Sequence, residues 1–302
     1  MKVDILDLDG ASVDAVPAAM RAEARYRDLR DLERPLRLWA GREAMNDFRR
    51  RIVDGDGTDE PVVTLLGSGD YHHLAPVLIA QRPEKLTVFH FDNHPDWTRM
   101  APRHHCGSWV NRALELDHVA RVITIGPCSD DLVRPQAKGA NLAALREGRL
   151  ELYPWRHPPS FVLGQFGRGP SYCQRSCHLV WRNVADQDWQ FFLDEVSARA
   201  PTEAVWLTID KDVLRPEDAL TNWDQGQMPL SFLLAAVDTI GRRHRVVGAD
   251  ICGDYSAPNP RLSWVKRWEM WTDHAPPPAF ADRQRNVAAN EALLLVLRDV
   301  TE

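Results

Sequence analysis

Leu86-Thr-Val-Phe-His-Phe-Asp-Asn-His-Pro-Asp-Trp97 decides how the rest of the chain is read. Up to Phe91 it is short, apolar, β-branched and aromatic, the composition of a buried strand. It then ends in Asp92-x-His94-x-Asp96, three side chains of the metal-binding kind. In open α/β sheets, ligands gather outside the carboxyl ends of the strands, which is where this polar tail falls. In a fully extended tail, Asp92 and Asp96 would lie about 13 Å apart at about 3.3 Å per residue. Two short carboxylates cannot share an ion across that gap, so the tail must curl. Asn93 tolerates a left-handed backbone and Pro95 fixes its own φ, so the bend is expected at these residues.

Working outward, the same strand-then-polar pattern recurs. Residues 204–209, Ala-Val-Trp-Leu-Thr-Ile, form a second strongly apolar run ending in Asp210-Lys-Asp212. On a strand, Asp210 and Asp212 would share a face about 6.6 Å apart, with Lys211 on the other. Residues 61–67 read as a strand running into Gly67-Ser-Gly-Asp-Tyr-His72-His73 and an apolar helix over 74–80. Its glycines lack the Lys-Ser/Thr of a phosphate loop. Further strands are expected at 2–9, 119–125 and 245–252. Helices are expected at 17–52, 107–116 (Ser108 as N-cap), 191–200, 229–240 and 286–297. Residues 54–59 read as a turn and Pro276-Pro-Pro278 as a rigid loop, while 127–190 give no clear pattern. Strands alternating with helices predict an α/β fold in three layers, a parallel sheet with helices on both faces, as a single domain over 1–302.

Composition narrows the function. A net charge of −6, with 44% hydrophobic and 26% charged residues, suits a soluble enzyme acting on a small molecule and argues against a nucleic-acid partner. No apolar run approaches the length of a membrane span. The acidic first residues do not resemble a signal peptide, and five cysteines do not suggest a disulfide scaffold, so a cytoplasmic protein is expected. Homo-oligomerisation is left open. Gathered at one sheet edge, Asp92, Asp96, Asp210 and Asp212 with His72 and His94 would repel one another unless cations neutralised them. Hard oxygen donors with only two imidazoles favour Mn²⁺ over a structural zinc. A two-ion site of that kind activates water for hydrolysis.

These motifs resemble those of the arginase and agmatinase (ureohydrolase) family. Asp92-Asn-His94-Pro-Asp96 is similar to the family's Asp-x-His-x-Asp. Thr208-Ile-Asp210-Lys-Asp212-Val-Leu-Arg-Pro216 resembles its Ser-x-Asp-x-Asp-x-x-Asp-Pro, with Arg215 at the third aspartate, and Gly69-Asp-Tyr-His72-His-Leu resembles its Gly-Gly-Asp-His-Ser-Leu. The resemblance implies an arginase-like fold and two Mn²⁺ ions per chain, bridged by Asp92 and Asp210. It places His72 and Asp96 on one ion and His94 and Asp212 on the other, with His73 the rival of His72. It also implies hydrolysis of a linear amidine or guanidino C–N bond.

The substrate side departs from the family. The family's proton-moving histidine corresponds to His105, with His104 and Cys106 as alternatives. Gly253 stands where the guanidinium-gripping glutamate belongs, leaving Asp254 beside it as the expected anchor. Arg99 and Arg103 are expected near the mouth, where they would suit an acidic substrate group. Two other readings stay open: a related-fold deacylase using one metal, and a non-catalytic arginase-like protein.

Overall fold

The computed structural model describes residues 1–53, 60–99, 102–276 and 282–301. The turn expected at 54–59 and the Pro277-Pro278 part of the expected loop lie outside these residues. The core is an eight-stranded, all-parallel sheet. In chain order its strands are β1 (Lys2–Asp7), β2 (Arg25–Asp28), β3 (Val62–Leu65), β4 (Leu86–Phe91), β5 (Val119–Ile125), β6 (Leu150–Tyr153), β7 (Ala204–Asp210) and β8 (Arg245–Cys252). In space they run β2-β1-β3-β8-β7-β4-β5-β6. The four strands β3, β8, β7 and β4 are therefore consecutive neighbours, and their carboxyl ends meet along one edge.

Alternation along these strands builds a core on each face. Phe89 and Phe91 of β4, Leu207 and Ile209 of β7, and Ala249 and Ile251 of β8 point to one side. There they pack on helices α4 (Trp189–Ser197), α5 (Leu230–Arg243) and α7 (Gln284–Thr301). Val88 and Trp206 point to the other side, against α1 (Arg42–Ile52), α2 (Ala75–Ile79) and α3 (Trp109–Leu114). The polar residues His90, Thr208, Asp210, Asp250 and Cys252 alternate onto this second side, so one register decides that they converge. Helix α6 (Trp264–Asp273) flanks the edge where they meet.

Three sequence expectations change. The single helix expected over 17–52 is broken, because residues 25–28 form β2 and pair with β1. Arg25 donates to Asp4 and Tyr26 to Asp7 at 2.6 Å, polar ties that hydrophobic spacing does not register. Leu38 then adopts a left-handed backbone, φ 64°, before α1 begins. In the opaque region, residues 150–153 form β6, and residues 160–161, 172–175 and 178–181 form a separate three-stranded antiparallel sheet. Helix α6 was not anticipated at all.

Candidate metal centre

Each site segment is positioned by a strand end. After β3 the chain enters a 3-10 turn, Gly69–Leu74, that carries His72. After β4 the tail curls, with the amide of His94 donating to Asp92 Oδ1 at 2.6 Å. The left-handed residue is Asp96 (φ 46°), not the expected Asn93. After β7 the chain leaves the strand at once. Asp212 sits in a 3-10 turn and its amide donates to Asp210 Oδ1 at 3.0 Å, so the expected shared strand face does not occur.

These turns bring together the six residues expected as ligands. His72 Nδ1 lies 3.1 Å from Asp92 Oδ2, 3.5 Å from Asp96 Oδ2 and 3.6 Å from Asp210 Oδ2. His94 Nδ1 lies 2.9 Å from Asp212 Oδ2 and 3.5 Å from Asp92 Oδ1. The tautomer of His72 follows from its other nitrogen. Thr208 Oγ1 donates to Asp250 Oδ1 at 2.8 Å, so it accepts from His72 Nε2–H, also at 2.8 Å. In the neutral ring Nδ1 is then the nitrogen that carries the lone pair. It is buried, has no hydrogen-bond partner among the described residues, and faces three carboxylates. A cation satisfies that arrangement; a neutral donor set would not need it. The donor set fits a metal ion.

The electrostatics agree. Burial, and then the neighbouring carboxylates, push Asp96 and Asp212 well above the usual carboxylate range. Asp210 is also raised, by burial and by Asp92. His94 is held well above the usual imidazole range by Asp212 and Asp224, although burial opposes it. Without cations the cluster is short of positive charge.

Several surrounding residues carry no motif. His90 lies on β4 two residues before Asp92 and contacts Asp92 Oδ2 through Nε2 at 2.9 Å. Its alternation onto the face of Asp92 was the available signal. Asp224 contacts His94 Nε2 at 2.8 Å from an irregular loop, where sequence offered none. Trp109 donates its indole N–H to Asp96 Oδ2 at 2.6 Å. His73 is buried and faces none of the carboxylate clusters; burial first, and then His105 and Lys266, hold it well below the usual imidazole range.

The cluster floors a cavity of about 680 Å³ that opens to solvent. His105 lines it, donating from Nε2 to Glu269 Oε1 at 2.6 Å and accepting at Nδ1 from the Gly107 amide at 3.0 Å. Cys106 lines it too, its thiol pushed well up by burial and by Asp96, whereas His104 does not reach it. Asp254 is not brought to the cavity. It is buried in an ion pair with Lys211 and accepts from Asn286 Nδ2 at 3.0 Å. Gly253 cannot be replaced in place. Its φ is 85°, and an added Cβ would lie 2.6 Å from the Lys211 amide nitrogen. Arg99 and Arg103 do not line the cavity either; Arg103 is turned to Glu115 at 2.5 Å.

No family model matches this sequence. An uncharacterised protein of Thermotoga maritima is 27% identical over 202 residues, 67% of this chain. The match spans only 60% of that protein, less than two thirds of its length. Solved structures align far more completely. The arginase of Bacillus subtilis superposes with a TM-score of 0.60, covering 98% of both chains at 13% identity. The agmatine ureohydrolase of Thermoplasma volcanium gives 0.59 over 99% of this chain and 88% of its own, also at 13% identity. Proclavaminate amidino hydrolase of Streptomyces clavuligerus gives 0.51 over 87% and 72%, at 14% identity.

The chain has the arginase-like fold. Within it, the carboxyl ends of β3, β4, β7 and β8 carry the His/Asp clusters able to hold metal. Gly253 and Asp254, two of the positions at which the sequence departs from the motifs it resembles, lie on the segment that leaves β8.

Proposed function

We propose that this chain is a binuclear, metal-dependent hydrolase of a C–N bond in a small, cationic, linear amidine or guanidino compound. The observation that carries the proposal is the buried lone pair of His72 Nδ1 facing Asp92, Asp96 and Asp210. One ion would be held by His72, Asp92, Asp96 and Asp210, the other by His94, Asp92, Asp210 and Asp212. Carboxylate oxygens dominate this set, which suits manganese. When bound, two divalent ions supply Lewis-acid activation of a water and of the carbon under attack.

The protein's own groups do the rest. Nine acidic side chains and one lysine line the cavity. The lysine, Lys138, is paired with Asp130 at 2.5 Å and Asp131 at 3.1 Å, so the walls favour a cation over the acidic group that Arg99 and Arg103 had suggested. His105, which lines the cavity, would move a proton to the leaving amine. Glu269 is a positioning residue. It holds the His105 Nε2 proton at 2.6 Å and is itself fixed by the Trp39 indole N–H at 2.9 Å. Trp223 and Trp268 line the cavity, where an aromatic ring would attract a substrate cation.

The test is product release. Metal-loaded protein is assayed for urea, formamide and ammonia with arginine, agmatine, guanidinobutyrate and formiminoglutamate. Turnover of the substrate with the greatest net positive charge, agmatine or a close analogue, is expected. Absence of product across the panel overturns the proposal.

A further inference from the structure

The end of β8 carries a group that the two-cation reading leaves unused. Cys252 is fully buried, and it lies on the same face of β8 as Asp250, two residues earlier. Its Sγ is 3.1 Å from Asp210 Oδ2, and that oxygen is 3.6 Å from His72 Nδ1. The candidate donor atoms of His72, Asp210 and Cys252 all lie within 4.8 Å of one another. Donors held at about 2.0–2.3 Å from one ion stand about 3–4 Å apart, so the sulfur already sits at ligand spacing. A separate observation points to the same space: buried His72 Nδ1 has no hydrogen-bond partner among the described residues and lies 3.6 Å from the Asp210 oxygen that Cys252 contacts. The next residue, Gly253, is packed closely on Lys211: a Cβ added there would lie 2.6 Å from the Lys211 amide nitrogen.

We infer that Cys252 is a thiolate ligand to the ion held by His72, Asp92, Asp96 and Asp210. The two ions then differ in kind. The His72 position, with nitrogen, oxygen and sulfur donors, selects a thiophilic divalent ion such as zinc, cobalt or iron(II). The His94 position, with nitrogen and oxygen donors alone, keeps a harder ion such as manganese. On binding, the Sγ–H bond breaks, the proton goes to solvent and the sulfur lone pair goes to the ion, with no change of oxidation state. The inference rests on the two-cation reading. Its competitor is a neutral thiol that only donates a hydrogen bond to Asp210.

Cobalt loading of the full-length protein separates these. Wild type should show a sulfur-to-cobalt charge-transfer band in the near ultraviolet. Cys252→Ser and Cys252→Ala should lose that band while keeping the visible bands of bound cobalt. Cys106→Ser, which alters the other buried cysteine near the cavity, should retain it. Removing a second-sphere partner of a metal already costs about 10–100-fold in affinity, so Cys252→Ser should weaken zinc binding at least about ten-fold and manganese binding far less. Circular dichroism of the metal-free variants checks that they fold; if they do not, the wild-type and Cys106→Ser spectra decide. Bound cobalt without the band in wild type, or a band that survives Cys252→Ser, overturns the inference and leaves the two-cation reading standing. Failure to bind cobalt at all overturns both.

Discussion

Replacing Gly253 by alanine should damage the centre without touching a ligand. Its φ of 85° lies in the left-handed region, which costs an alanine about 1–2 kcal/mol. The new Cβ would also fall against Asp210 Oδ1 and 2.6 Å from the Lys211 amide nitrogen. Backbone cannot yield as a flexible side chain can, so overpacking adds about 1–3 kcal/mol. The sum, about 2–5 kcal/mol, is a large share of the roughly 5–15 kcal/mol that holds a domain folded. At about 2–4 °C per kcal/mol, the metal-free protein should melt about 4–20 °C lower. Because Asp210 must move, metal affinity should fall by about ten-fold or more. Circular dichroism melts and isothermal titration with metal read both effects. Gly41→Ala is the control, since a Cβ there meets nothing within 4 Å and the change should stay under about 1 kcal/mol. A Gly253→Ala protein that melted and bound metal like wild type would refute the packing argument. The same geometry predicts that Gly253→Glu, which restores the family's residue type, destroys the site instead of improving it.

Other expectations are narrower. Asp254→Asn leaves Lys211 buried without its counter-charge and should cost about 3–5 kcal/mol in chemical denaturation with metal stoichiometry unchanged. A large rise in KM with little stability loss would instead make Asp254 a substrate anchor. Glu269→Gln should lower kcat by about a hundred-fold and leave KM nearly unchanged; a raised KM with unchanged kcat would mean that Glu269 grips substrate. Burial raises Asp9 from 3.8 to about 6, and its Oδ2 is buried without a partner. A carboxyl raised on folding contributes stability below about pH 4 that is lost as pH climbs through about 6. Asp9→Asn should flatten that slope and stabilise the protein at pH 7 by about 3 kcal/mol, read from melts across pH 4–8. An unchanged slope would contradict the assignment.

What could be read in the sequence follows from where burial and alternation coincide. Strands β4 and β7 are buried along their whole length, and an aspartate follows β4 and closes β7, so hydrophobic pattern and polar punctuation marked the same place. The curl after β4 was legible as a necessity, because separated carboxylates had to meet; which residue would take the left-handed backbone was not. The strand-rise argument failed at Asp212, since it assumed that the strand continued past Asp210. Residues 25–28 were lost because paired charges, not apolar spacing, attach them to the sheet. Helix α6 was hidden by an inverted pattern: Trp264, Trp268 and Trp271 are 73%, 60% and 80% exposed, while Lys266 is buried. Lys266 donates to the Trp39 carbonyl at 2.7 Å, a backbone acceptor that no sequence pattern reveals. Glu269 came with that helix, so the partner of His105 was invisible for the same reason.

The count of metal ions per chain, by elemental analysis of wild type and of Asp210→Asn, bears most directly on the centre. In the proposed function Asp210 would serve both ions, so wild type should carry two and the variant should lose most of both. A wild-type chain with one ion or none, or a variant with undiminished content, would contradict the account.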